Sequence, residues 1–176
     1  LQITRDVQKV LGLYSEKLRE KKLHLLEKYL IEAIQVLIHK EDFIEKVTID
    51  KKTFAITLYR KNNQEMLKDE LSEGEKQMFA TAILWALAKT SGRPLPFMID
   101  TPLARLDIEH RSNLVETFFP SASHQVVIFS TDAEIDEKYY TQLKPFISKS
   151  YLMKYSSDSG SSKVEDGFFW EQKVVN

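Results

Sequence analysis

From residue 95 onward, short apolar runs alternate with helical segments, and polar residues follow each run. The runs cover residues 95–99 and 125–129, while helical patterns cover 108–119 and 133–143. Runs this short that are apolar throughout are typical of strands buried on both faces. Strands that alternate with helices pair in parallel, because the helical crossover returns the chain to the same end of the sheet. The sequence therefore predicts an α/β fold with a parallel sheet flanked by helices.

Residues 1–42 predict one long helix, because they contain no proline and a single glycine, Gly12. Apolar residues recur in steps of three and four at Val7, Leu11, Tyr14, Leu18, then Leu26, Leu30, Ala33 or Ile34, and Leu37. This narrow stripe is typical of a coiled coil, although it also fits an amphipathic helix packed on its own domain. We expect a coiled-coil arm helix over residues 1–42 and a separate lobe over 43–176.

Other segments predict strands and turns. Apolar residues alternate over 47–49 and 54–58, which is typical of strands with one buried face, and the asparagine pair at 62–63 predicts the next turn. Near the end of the chain, residues 150–155 and 164–170 predict two further strands joined by a Ser/Gly-rich loop. Pro120 is expected to end the helix over residues 108–119, and Pro145 is expected to end the helix over residues 133–143.

Composition excludes several classes of protein. A hydrophobic fraction of 43% in 176 residues is too high for a disordered chain, and the absence of cysteine excludes a disulfide scaffold and thiolate metal sites. The net charge of -1 gives no sign of nucleic-acid binding, but a local basic patch can still bind DNA. Neither a signal peptide nor a membrane-spanning run is found, so we expect a cytoplasmic location. Because the sequence begins at Leu1, we expect a longer polypeptide.

The most informative stretch reads Leu71-Ser72-Glu73-Gly74-Glu75-Lys76-Gln77. Ser72 followed three residues later by Glu75 predicts a capping box at the start of a helix. Gly74 allows the backbone to approach whatever lies in front of the helix. The free N–H groups and the positive dipole end of such a helix suit a phosphate, although an ordinary capped helix would show the same pattern.

Polar residues also follow both apolar runs. Asp100 ends the first run, where ligands bind in open α/β sheets and where an aspartate can hold Mg²⁺, although it can also cap the next turn. Asp107 precedes a helix and is a candidate N-cap. Thr131 and Asp132 follow the second run.

The order of these stretches resembles the C-terminal half of ABC-type ATPases. LSEGEKQ is similar to their signature motif with Glu73 in place of a usual glycine, FMID resembles Walker B, LARLD resembles the D-loop, and IFSTD resembles the switch strand. The GEKQ form and the preceding helix resemble the SMC and double-strand-break-repair branch. Residues 70–136 further resemble the DndD family, SMC-like ATPases of bacterial DNA phosphorothioation systems, in which sulfur replaces a backbone oxygen.

This resemblance implies the C-terminal lobe of an ATPase head that binds ATP and Mg²⁺. Ser72 and the backbone of Gly74 would contact the γ-phosphate of ATP held by an opposing subunit, and Asp100 would coordinate magnesium. Asp107 would reach across the dimer seam. The other residues expected at the nucleotide are Leu71, Glu73, Glu75, Lys76 and Thr131.

The implied partners are an N-terminal Walker A lobe of the same protein, a second head, DNA and other DNA-modification proteins, with no membrane. None of the five glycines is followed by Lys and then Ser or Thr, so a Walker A loop is absent and the isolated chain is expected to be inactive.

Besides Glu73, two positions of the proposed hydrolysis site depart from the family pattern. Thr101 stands where a glutamate usually orients the attacking water, and Thr131 stands where a switch histidine is usual. We expect either that Asp132 orients the water, so that Asp100, Thr101 and Asp132 form the catalytic set, or that hydrolysis is slow and ATP mainly drives dimerisation. The rival functions are a structural head that is catalytically weak and, with less support, the nucleotide-binding domain of a transporter.

Overall fold

The computed structural model describes residues 2–38 and 44–169. The chain divides into two compact units. The first unit comprises Leu1–Phe97 and Arg105–Val127, and the second comprises Met98–Ala104 and Ile128–Asn176.

Helices and strands follow one another in the order that an α/β fold requires. Their bounds are α1 (Gln2–Leu37), β1 (Lys46–Ile49), β2 (Ile56–Tyr59), β3 (Glu65–Met66), α2 (Glu73–Ser91), β4 (Phe97–Asp100), α3 (Ile108–Asn113), α4 (Phe119–Ala122), β5 (Val126–Phe129), α5 (Glu137–Leu143), β6 (Tyr151–Ser156) and β7 (Ser161–Asp166). The predicted α/β class with a parallel strand pair and an N-terminal helix is confirmed.

Helix α1 differs in burial between its two halves. Its C-terminal half packs on α2 and buries Leu23, Leu30, Ala33, Ile34 and Leu37. The apolar stripe of the N-terminal half is exposed, with Val7 at 51% and Tyr14 at 64%. The proposed boundary at residue 42 lies outside the described residues, so the division into arm and lobe stays a prediction.

The first three strands form an antiparallel sheet in the order β1-β2-β3. Val47 pairs with Leu58 and Ile49 with Ile56, and the side chain of Leu58 is completely buried. Glu27 of α1 joins this sheet to the helix, because its Oε1 accepts a 2.8 Å hydrogen bond from the N–H of Ile49.

Phe54 is not part of the second strand, contrary to the sequence prediction. It lies in the turn before β2 with φ of 57° and is 56% exposed. Asp50 holds this turn by accepting hydrogen bonds from the N–H groups of Lys52 and Thr53. An aspartate turn of this kind competes with the strand ladder and therefore shortens β2.

Four aromatic side chains pack together where Trp85 of α2 meets three buried phenylalanines. Trp85, Phe97 and Phe119 each place a ring centroid 5.7–6.1 Å from that of Phe118. The Nε1 of Trp85 donates a 2.8 Å hydrogen bond to the carbonyl of Ala122, which satisfies its polar end.

Pro120 does not end the helix before it, contrary to prediction. A π-helical turn over Leu114–Phe118 connects α3 to α4, and Pro120 lies in the first turn of α4. Proline is accepted there because its missing N–H and fixed φ do not disturb a first helical turn.

Strands β4 and β5 pair in parallel, as their hydrogen bonds show. The N–H of Phe97 donates to Gln125 and the N–H of Thr101 donates to Phe129, each at 2.9 Å. The prediction that both faces of these strands are buried is wrong, since Met98 is 58% exposed and Phe129 is 44% exposed. Within the described residues, β4 and β5 form a sheet of two strands only. A sheet this small leaves part of its side chains uncovered.

The second unit also contains α5 and an antiparallel hairpin of β6 and β7. Helix α5 begins at Glu137, later than predicted, because the side chain of Asp136 accepts a 2.9 Å hydrogen bond from Tyr139 and caps the helix there. The last strand ends at Asp166, and Phe168 beyond it stacks on Tyr140 with ring centroids 4.3 Å apart. Trp170, predicted to belong to this strand, lies outside the described residues.

None of the helices in the described residues combines the length and the apolar character that a membrane span requires. The cytoplasmic location stays a prediction.

The unequal burial of α1 predicts two different effects of one substitution. Leu30→Ala removes a fully buried side chain and should lower the free energy of unfolding by about 2–5 kcal/mol, measured by denaturant titration. Leu13→Ala, at a site 53% exposed on the same helix, should change it by less than about 0.5 kcal/mol. Equal effects would contradict the described packing.

Candidate functional site

The N-terminus of α2 is capped as the sequence predicts. Oγ of Ser72 accepts a hydrogen bond of 3.3 Å from the N–H of Glu75, and Oε2 of Glu75 accepts one of 2.7 Å from the N–H of Ser72. Glu75 is buried, at 4% exposure, whereas Ser72 and Glu73 are exposed. The side chain of Leu71 is buried, so only its backbone could face a ligand.

Two backbone donors remain open at this helix end. The first helical hydrogen bond runs from the N–H of Lys76 to the carbonyl of Ser72, and the capping box engages Glu75. Among the described residues, no acceptor is bonded to the N–H groups of Glu73 or Gly74. These groups lie at the positive end of the helix dipole and can bind an anionic oxygen.

Position 74 requires glycine because another part of the same chain packs closely against it. A Cβ atom added there would lie 3.0 Å from the carbonyl oxygen of Arg105 and 3.3 Å from Cδ2 of Leu106. The sequence predicts that Gly74 lets the backbone come close to whatever lies in front of the helix, and the structure shows residues 105–106 of the chain itself packed against it. The contact joins the start of α2 to residues 105–106, all of them within the first unit.

Charges surround Glu73, the residue that replaces the usual glycine of the signature motif. Its carboxylate lies 2.9 Å from Nζ of Lys76 and 3.6 Å from a guanidinium nitrogen of Arg105. The hydrogen bond and the charge of Lys76, with a smaller effect of Arg105, hold the pKa of Glu73 below its usual value. Two cations therefore offset one carboxylate beside the open N–H groups. Arg105 was not predicted, because only its place in the fold brings it to Glu73.

Asp107 is the N-cap of α3, one of the roles that the sequence allows. Its Oδ1 accepts a 2.9 Å hydrogen bond from the N–H of His110, and Nδ1 of His110 lies 2.7 Å from the same oxygen. These contacts, the backbone hydrogen bond first, lower the pKa of Asp107. The side chain is 65% exposed, so it can still meet a second molecule.

In the second unit, Asp100 and Thr101 stand at the C-terminal end of β4, and both are exposed. Thr101 has φ of 44°, although a β-branched residue rarely adopts positive φ. Its N–H donates to the carbonyl of Phe129, the last residue of β5. The turn after β4 and the end of β5 therefore lie side by side, as the ends of parallel strands should.

Thr131 and Asp132 are exposed in the turn after β5. Glu134, which was not predicted, has a buried carboxylate that accepts hydrogen bonds from two backbone N–H groups. Thr131-x-x-Glu134 has the spacing of a capping box, and this signal could have identified it.

The described residues could bind Mg²⁺ only together with ligands from other molecules or segments. Residues 2–38 and 44–169 contain no group of three His, Asp or Glu side chains that could hold a metal ion. Asp100 is exposed, and within the same residues nothing is bonded to its carboxylate, so it can supply one oxygen. Mg²⁺ in nucleotide sites takes its other ligands from phosphate and water, which suits a single carboxylate.

Comparison with solved structures shows what fold this is. The chain matches one described as "Structural biochemistry of ATP-driven dimerization and DNA stimulated activation of SMC ATPases", with a TM-score of 0.59, 16% identity, and coverage of 87% of this chain and 89% of that chain. It also matches the Smc head domain with an extended coiled coil from Pyrococcus furiosus, bound to the C-terminal domain of ScpA, with a TM-score of 0.55, 16% identity and 94% of this chain covered.

A further match is the Smc head domain with a coiled coil and joint from Pyrococcus yayanosii, with a TM-score of 0.58, 16% identity and 94% of this chain covered. The chain spans 42% of the Pyrococcus furiosus chain and 32% of the Pyrococcus yayanosii chain. No model of a known protein family and no curated protein matches the sequence. The fold is that of SMC head domains.

The close contact at Gly74 predicts opposite outcomes for one substitution at two helical glycines. Gly12→Ala meets no atom within 4 Å and should stabilise the protein by roughly 0.4–1 kcal/mol, the ordinary gain of alanine in a helix. Gly74→Ala should lose that gain or destabilise, because its Cβ would press on the Arg105 carbonyl. Denaturant titration of both variants measures the difference, and equal stabilisation would contradict the contact.

Proposed function

We propose that this chain is the C-terminal lobe of an SMC-like ATPase head and that it completes an ATP site in trans. The observation that carries the proposal is the exposed N-terminus of α2, which presents open N–H groups in a chain that has no Walker A loop. A helix end of this kind binds phosphate oxygens held by another polypeptide segment. The fold similarity to SMC heads supports the same reading.

The residues would divide the work by their chemistry. The hydroxyl of Ser72 accepts from Glu75 and can still donate its own proton to a phosphate oxygen. The N–H groups of Glu73 and Gly74 would add two further donors. Lys76 and Arg105 offset the carboxylate of Glu73, which would otherwise repel a triphosphate. Asp100 would supply a carboxylate oxygen to Mg²⁺, whose charge stabilises the phosphates when nucleotide is bound.

An N-terminal Walker A lobe of the same protein is the first proposed partner. Parallel sheets are found with both faces covered, and a pair of strands is not stable alone. The exposed Met98 and Phe129 therefore indicate a sheet that another segment extends and covers. The second partner is another head, since the γ-phosphate contacts of Ser72 and Gly74 would belong to the opposing site. We propose activity only for this assembly.

The exposed stripe of α1 supports the proposed coiled-coil arm over residues 1–42. Val7, Leu11, Tyr14 and Leu18 are each at least 43% exposed and lie at coiled-coil spacing. A second helix would bury them. Domains 1–42 and 43–176 remain our proposed division.

The cellular role we propose is DNA phosphorothioate modification or a related DNA-processing step. It is supported by the likeness of residues 70–136 to the DndD family. DNA and the other modification proteins would be the further partners, with the arm and the ATP-gated dimer acting on DNA.

One observation favours a second candidate, a head that binds ATP but hydrolyses it slowly. Thr101 and Thr131 occupy the places of the usual glutamate and histidine, and a threonine hydroxyl is not a base near neutral pH. In that case nucleotide binding would drive dimerisation with little turnover. Steady-state ATPase measurement on the assembled head, with and without DNA, separates the two.

Removal of the Ser72 hydroxyl tests the phosphate role. In the assembled head, Ser72→Ala should abolish or strongly weaken ATP-dependent dimerisation, measured by sedimentation velocity, while the lost cap costs about 1 kcal/mol. Asp136→Ala removes a comparable cap from α5, so it should cost a similar free energy and leave dimerisation intact. If both variants dimerise as the parent does, Ser72 is only a cap.

Asp132 is the proposed residue that orients the attacking water. Asp132→Ala should lower ATP turnover by ~10²-fold or more, the scale of a lost general base, with nucleotide binding retained. Asp158→Ala, at an exposed aspartate of the β6–β7 turn, is the matched control and should leave turnover unchanged. Unchanged turnover in Asp132→Ala would remove this residue from the mechanism.

A further inference from the structure

The second unit contains a buried carboxylate that none of the proposed roles uses. Glu134 is 5% exposed, although glutamate is one of the residues least often buried. It lies in the turn between β5 and α5. In the part of the chain that the structure describes, no lysine, arginine or histidine forms an ion pair with it.

We propose that Glu134 is a positioning residue that holds the turn after β4 in register with the turn after β5. This inference rests on the proposed ATPase function, because those two turns carry the residues assigned to hydrolysis. Glu134 itself would touch neither nucleotide nor water.

Each oxygen of the Glu134 carboxylate binds a different turn. Oε1 accepts a 2.9 Å hydrogen bond from the N–H of Leu103, which is completely buried, and Oε2 accepts one of 3.3 Å from the N–H of Thr131. The first bond joins positions far apart in sequence, so it is not a local turn contact. A buried carboxylate is tolerated when backbone N–H groups satisfy it, and hydrogen bonds to a charged acceptor are stronger than neutral ones.

The same region contains a strained residue that needs such support. Thr101 has φ of 44°, and strain of this kind persists only where the surroundings over-determine the backbone. The N–H of Thr101 is held by Phe129, and the N–H of Leu103 is held by Glu134. The turn is therefore fixed on one side of Pro102 by the last residue of β5 and on the other side by a residue of the turn after β5.

A fixed turn matters for hydrolysis because Thr101 and Thr131 have side chains too weakly basic to activate water. Catalysis at such a site depends on where the backbone and the short hydroxyls lie, and small displacements of a positioning group lower the rate strongly. Glu134 bonds to Thr131 directly and to the turn of Thr101 through Leu103. It would therefore set the distance between Thr101 and Thr131, which stand in the places of the usual glutamate and histidine.

Glu134→Gln in the assembled head tests this role. The amide replaces one acceptor oxygen with a donor, so one of the two backbone N–H groups loses its partner. We expect ATP turnover at saturation to fall roughly tenfold or more while KM for ATP and nucleotide-driven dimerisation change by less than about twofold. Hydrogen exchange of the segments 101–106 and 129–135 should rise by a similar factor, because their bonds open more often.

Two comparisons make the result interpretable. Glu137→Gln makes the same chemical change at an exposed position of the same unit, and it should alter neither turnover nor exchange. Glu134→Asp keeps two acceptor oxygens on a shorter side chain, so it should retain more turnover than Glu134→Gln. Unchanged exchange and turnover in Glu134→Gln would overturn the inference.

A variant with lower thermal stability, a higher KM for ATP and lower turnover together would also overturn the inference, since Glu134 would then support only the fold. Failure of the proposed function gives a different result. A parent head without ATP turnover would refute the ATPase assignment and, with it, the role in hydrolysis, while the exchange of the two segments would still decide whether Glu134 holds the turns together.

Discussion

The contact between Gly74 and the carbonyl of Arg105 is the constraint on which the candidate site depends. It brings the first turn of α2 against the stretch that leads into α3, and any side chain at position 74 would separate them. The same approach places the guanidinium of Arg105 beside Glu73. Because Gly74 has no Cβ, the open N–H groups of α2, the guanidinium of Arg105 and the start of α3 lie together on one surface of the first unit.

Exposure distinguishes the proposed ligand-binding residues from those that support them. Ser72, Asp100, Thr101, Thr131 and Asp132 are all exposed, while Glu75 and Glu134, whose carboxylates bind backbone N–H groups, are buried. Buried carboxylates fix the turns and helix ends, and the exposed groups face outward. In each unit, the exposed side chains can therefore meet a ligand, as the proposed function requires.

Local patterns in the sequence predicted what depends on local chemistry. The predictions of the capping box at Ser72, the Asp107 cap and the long helix were correct, because each follows from side chains a few residues apart. The parallel strand pair was also correct, because the alternation of strands and helices indicates it. Three predictions were wrong for local reasons. The Asp50 turn removes Phe54 from the strand, and Pro120 is tolerated in the first turn of α4. The Asp136 cap moves the start of α5 to Glu137. The expected burial of β4 and β5 failed since burial depends on segments beyond the strands themselves. Arg105 and Glu134 act through contacts formed only by folding, although the spacing of Glu134 from Thr131 gave a local signal.

The central claim is that the N-terminus of α2 faces the triphosphate of ATP bound by an opposing head. An ATP analogue with a photoreactive group on its γ-phosphate tests this directly in the assembled head, with the attached peptides identified by mass spectrometry. We expect attachment within residues 71–77 under conditions that produce dimers and none when the heads are monomeric. Attachment only at other segments, with the nucleotide bound and the heads dimeric, would contradict it.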